Sequence, residues 1–141
     1  MKSELRIYTS FVSPLTLPQF TASDYLPIFI IRNIGNSVLI GKYSGTKIHC
    51  RELAPSTELF RLRRDKFITN EEYQKRYAKE IFEVDLESII REWELLVECS
   101  GAKGIILLGY GSDDSLCHRS TLRDILNSSG IFINRVESFI L

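Results

Sequence analysis

The chain lacks most of the features that would place it in a specialised class. It carries no excess charge: 18 lysines and arginines balance 18 aspartates and glutamates over 141 residues. Nucleic acid and anionic membrane surfaces are therefore not the expected partners, because no overall field draws them in. Cysteine is sparse. Cys50, Cys99 and Cys117 are odd in number and show no CxxC spacing, which argues against a disulfide framework and a zinc ribbon. No apolar run approaches the length of a membrane span, and the opening MKSELRIY has no signal-peptide core. Internal repeats and low-complexity tracts are missing too. What is present, 44% hydrophobic and 26% charged residues, is the composition of an ordinary globular protein. The expectation is one soluble domain over residues 1–141, reduced and cytoplasmic, large enough to bury a core without staples.

The pattern of apolar residues orders the elements. Leu5–Val12 (LRIYTSFV) is rich in β-branched and aromatic residues and stops before Ser13-Pro14, as a strand does. Pro27–Arg32 (PIFIIR) and Gly104–Leu108 (GIILL) are continuous apolar runs, the mark of parallel strands buried on both faces. Lys47–Leu53 reads as a short edge strand and Ile131–Leu141 as a last strand, centred on Ile133–Ile140. Between them lie helices. One spans about Thr57–Asp65 behind Pro55-Ser56-Thr57. The next, about Asn70–Phe82, has Thr69 as N-cap and Glu72 at capping-box spacing. Asp85 caps a third, in which Leu86, Ile89, Ile90, Trp93, Leu96 and Val97 form one stripe, with Cys99 assigned to the core and Gly101 at the C-cap. A helix, a buried strand, a helix and a strand in that order suggest a βαβ unit with a parallel pair. The predicted fold is a single three-layer α/β domain with a mostly parallel, Rossmann-like sheet flanked by helices and Trp93 buried between them.

The segment Gly109–Ser120 (GYGSDDSLCHRS) joins the buried strand to the last helix, and it places Cys117, His118 and Arg119 on the first helical turn. Backbone N–H groups are unpaired there and the helix dipole favours an anion. Ligands of open α/β sheets bind beyond the carboxyl ends of the strands. Thr9 and Ser10 from the first strand, Arg32 from the second and the loop before Arg119 all belong to that edge. Hydroxyls, two arginines and a helix start suit a phosphate or carboxylate. Arg32 turns either to this site or to a structural carboxylate.

Cys117 has two readings. A thiol near a helix N-terminus, beside an imidazole or guanidinium, is activated as a nucleophile, with His118 as its base. A small buried thiol packing the helix onto the sheet is the other reading. Cys117–Arg123 (CHRSTLR) also matches a C-x5-R spacing that arises easily by chance. His49-Cys50 and Cys117-His118 are adjacent pairs, too close in sequence for a four-ligand metal site, so no metal is expected. Asp113-Asp114 reads as a loop cap. The basic cluster Arg61, Arg63, Arg64 and Lys66 reads as a solvated helix face, given Glu58 and Asp65 beside it. No motif names a cofactor.

Four blocks of this sequence carry a resemblance: Tyr8-Thr9-Ser10-Phe11; Pro27–Arg32; Leu53–Leu59 (LAPSTEL) followed by Tyr73, Arg76 and Tyr77; and Ile105–Leu108 with Cys117-His118-Arg119. Together they resemble the bacterial family called domain of unknown function 488. The resemblance implies the α/β fold and a site at the Cys-His-Arg motif. It carries no substrate. Many members have a cysteine just after the closing strand and an acidic residue two positions later, where this chain has Gly109 and Gly111.

Two functions follow as expectations. The first is a site for an anionic small molecule, phosphate-bearing or nucleotide-like, held by Arg32 and Arg119 with Thr9 and Ser10 donating hydrogen bonds. Cys117 and His118 are its candidates for chemistry. The second is a non-enzymatic interaction module in which Cys-His-Arg is structural. Gly109, Gly111, the glycine-bearing stretch Asn33–Gly45 and Tyr43 favour that one.

Overall fold

The computed structural model describes residues 2–11, 24–31, 48–109 and 118–138. The strands are β1 (Ile7–Phe11), β2 (Tyr25–Phe29), β3 (Ile48–His49), β4 (Gly104–Gly109) and β5 (Glu137–Ser138). The helices are α1 (Thr57–Arg64), α2 (Asn70–Phe82), α3 (Leu86–Ser100) and α4 (His118–Ser128), with a 3-10 turn at Arg51–Leu53. The strands form one sheet in the order β3-β2-β4-β1-β5, and every pairing is parallel. The α/β, Rossmann-like expectation holds.

The apolar run GIILLG explains why β4 is central. All six of its residues are buried, and only a strand covered on both faces accommodates such a run. Side chains alternate along a strand, so register assigns each residue to a face. Ile7, Ile28, Ile30, Ile105 and Leu107 share one face and pack with Tyr73, Tyr77 and Ile81 of α2, Ile90 and Trp93 of α3, and Leu122 and Leu126 of α4. Trp93 is 3% exposed, as its place in the α3 stripe requires. On the opposite face Phe29, Ile106 and Leu108 are buried as well, so both faces of the sheet are covered.

Helix boundaries follow local capping chemistry. Ser56 Oγ accepts from Leu59 N at 3.2 Å, Thr69 Oγ1 from Glu72 N at 3.1 Å and Asp85 Oδ1 from Ser88 N at 3.2 Å. The capping box at α2 is half formed, because the Glu72 carboxylate accepts from Arg76 Nε at 2.9 Å. Gly101 ends α3 at φ 72°.

Strand boundaries depart from the sequence reading. Instead of Pro27–Arg32, β2 covers Tyr25–Phe29, because Tyr25 pairs with Gly104 at the start of β4. Pro27 has no N–H to share, and pairing with β3 begins one residue later at Ile28. Only Glu137 and Ser138 of the expected last strand pair with β1 among the described residues, with an isolated bridge from Ser3 to Phe132. Cys99 is also corrected: it is exposed. At about 100° per residue it lies roughly 240° around α3 from Trp93, away from the buried stripe. No described helix is long and apolar enough to cross a membrane.

Candidate functional site

The carboxyl ends of β1 and β4 lie side by side, Phe11 pairing with Gly109. Helix α4 packs back across this edge and carries two of the expected site residues to it. Arg119 is 2% exposed, and its guanidinium carbon stands 5.8 Å from the centre of the Phe11 ring. One turn on, Arg123 Nη1 donates to Thr9 Oγ1 at 2.9 Å. The helix rises about 6 Å over those four residues, and β1 advances a similar distance from Phe11 back to Thr9. Helix and strand therefore run antiparallel, with two guanidiniums tracking one face of β1.

Thr9 and Ser10 do not act from the same side. Both are buried, but as neighbours on a strand they point to opposite faces, Thr9 with Ile7 and Ser10 with Tyr8. Thr9 is the one aligned with α4. Its Oγ1 serves as an acceptor for Arg123, which leaves its own hydroxyl proton available as a donor.

His118 is buried. Its ring sits edge-on to Tyr77 at 5.1 Å, and its Nε2 donates to Ile30 O at 2.7 Å, just past the end of β2. A ring nitrogen facing a carbonyl must carry the proton, so the neutral ring is the Nε2–H tautomer. The structure thus brings Thr9, His118 and Arg119 to the ends of β1 and β2. Ser10 is nearby in sequence but faces away. Arg32, Cys117, Tyr43, Gly111, Asp113 and Asp114 lie outside the described residues.

Two residues matter more here than their sequence context suggested. Arg123 was visible only as the end of a C-x5-R spacing, and its contact with Thr9 spans 114 positions. His49, paired with Cys50 as a weak metal candidate, donates its Nε2 to Ile31 O instead. The Cys50 thiol faces Glu52 Oε2 at 3.5 Å. Burial first, and then the nearby Glu52 carboxylate, push its pKa up to about 12, which keeps the thiol protonated at neutral pH. Among the described residues no three His, Cys, Asp or Glu side chains gather as a metal site.

An all-parallel sheet flanked by helices, with a histidine and an arginine from the helix after the central strand turned onto its carboxyl edge, defines a Rossmann-like α/β domain. The chain belongs to the DUF488 family: the family model DUF488-N3a, described as the active DUF488-N3 subclade, matches residues 21–130. No curated protein and no solved structure matches the chain.

Proposed function

We propose that the carboxyl edge of the sheet binds a phosphate-bearing or nucleotide-like small molecule in a reducing, cytoplasmic setting. Arg119 and Arg32 hold the anion, and Thr9 donates a hydrogen bond to it. Cys117 is the nucleophile candidate, with His118 as its base. One observation carries this reading: Arg119 brings a permanent positive charge to the carboxyl end of β1 while remaining 2% exposed. Burying a guanidinium is costly, and sites that recognise phosphate or carboxylate justify that cost by bidentate hydrogen bonding. The match to the active DUF488-N3 subclade favours chemistry over binding alone.

A thermal-shift screen over inorganic phosphate, pyrophosphate and nucleotides tests it. A ligand at a hundred times its dissociation constant adds about 2.7 kcal/mol of stability. For a domain of this size that is a rise of a few degrees in midpoint. Arg119→Lys should blunt the rise in a folded protein, because lysine keeps the charge and loses the fork. A flat screen for the wild type would overturn the reading.

The interaction module is favoured by a different observation, the engagement of His118 Nε2 with the Ile30 carbonyl, which is a structural use of the motif. Under that reading Arg119→Lys lowers the midpoint and no anion raises it.

A further inference from the structure

The two histidines of this chain do the same thing to neighbouring peptide groups. His118 Nε2, from α4, donates to Ile30 O at 2.7 Å, and His49 Nε2, from β3, donates to Ile31 O. Both carbonyls are buried, since Ile30 is 0% and Ile31 5% exposed. A buried carbonyl requires a donor. The sheet ladder supplies donors only so far. Cys50 N reaches Phe29 O at 2.9 Å, Ile30 N reaches Leu108 O at 3.0 Å, and there β3 has already ended. Beyond that point the two imidazoles take over from the backbone, one from each flank of β2. The next residue in the chain is Arg32.

We propose that His49 and His118 are a paired clamp, two positioning residues that fix the Ile30 and Ile31 peptides and so set the geometry of the strand-end anion site. This rests on the anion-binding reading above. It assigns His118 Nε2 to holding the site, a task beside the base role proposed for the same ring. It also gives His49 a place in the site's construction that no motif marks. The clamp ties three elements together: the exit of β2, the edge strand β3 and the helix that carries Arg119.

Glutamine and phenylalanine substitutions separate the roles. A Gln amide nitrogen takes the place of imidazole Nε2, whereas Phe keeps the edge contact with Tyr77 and removes the donor. The measurement is titration of inorganic phosphate into wild type, His118→Gln, His118→Phe, His49→Gln and His49→Phe, each checked for a cooperative thermal transition. Long-range proton–nitrogen spectra of the wild-type rings accompany it. The clamp expects Nε2–H for both neutral rings. It expects Gln variants within about twofold of wild type and Phe variants weakened about tenfold or more, the usual scale of a lost buried hydrogen bond. Phe variants that bind like wild type overturn it, and so does an Nδ1–H tautomer at either ring. Gln variants as weak as Phe variants overturn it in favour of direct imidazole chemistry. A wild-type protein that binds no phosphate overturns the anion site itself, and the role with it, even where the spectra show both Nε2–H rings.

Discussion

Arg123 on α4 and Thr9 on β1 are joined by a 2.9 Å hydrogen bond from Nη1 to Oγ1, beneath the same strand edge that Arg119 covers. Thr9 is fully buried, so its end of the contact is shielded from water. It docks α4 on a strand from the other end of the chain, and with it His118 and Arg119.

Thr9→Val keeps the shape and deletes the acceptor. A hydrogen bond to a charged group is worth about 1.5–3 kcal/mol, and urea unfolding should show a loss of about that size. Thr9→Ser should retain the bond and lose roughly 1 kcal/mol for the missing methyl. Equal stability of Thr9→Val and wild type would show that the bond contributes nothing.

Gly104 begins β4 where the backbone of Arg6 passes closest. A Cβ there would lie 2.4 Å from Arg6 O and 2.9 Å from Tyr25 Cε1. The carbonyl is fixed, because it accepts from Ile105 N at 2.8 Å. Gly104→Ala is expected to destabilise the fold by about 1–3 kcal/mol through overpacking, read as a lower unfolding midpoint.

Lys66 follows α1 with φ 59°, in the left-handed region. Its N–H bonds to Arg63 O at 3.0 Å and that of Phe67 to Leu62 O at 2.9 Å, which is the paired pattern of a Schellman helix end. That position suits glycine. Replacing the exposed lysine by Gly should stabilise the protein by about 1 kcal/mol, whereas Lys66→Ala should bring no gain. Calorimetry of the two variants compares them directly.

The thiols should differ in reactivity. Cys99 is exposed and Cys50 is buried beside Glu52, so iodoacetamide at pH 8 should label Cys99 well before Cys50 in peptide maps. Burial and the Glu52 carboxylate raise the Cys50 pKa from 9.0 to about 12. The unfolded thiol then gives up its proton first, so the stability linked to Cys50 is whole below pH 9 and is lost as pH rises from 9 toward 12. The drop in unfolding midpoint across that window should be smaller in Cys50→Ala. An identical drop would sink the assignment.

Helix positions were legible in the sequence because their causes are local. Thr69 and Asp85 start helices with side chains that reach three residues ahead, and Gly101 ends one by the sign of a single φ. The central place of β4 was legible for a related reason: an unbroken apolar run has no stable home except between two covered faces. The α/β class followed from those two signals.

The tertiary structure alone decided where strands begin and end, which way side chains face and what the polar groups touch. Tyr25 belongs to β2 because Gly104 lies opposite it, and Cys99 is exposed because the sheet lies on the other side of α3. His49 looked like half of a metal pair until Ile31 O, eighteen residues away in the chain, proved to be its partner. Arg123 and Thr9 are separated by nearly the whole sequence. A cap or a turn is settled among neighbouring residues, whereas strand pairing and buried hydrogen bonds are settled by whichever distant group the packed sheet delivers within about 3 Å.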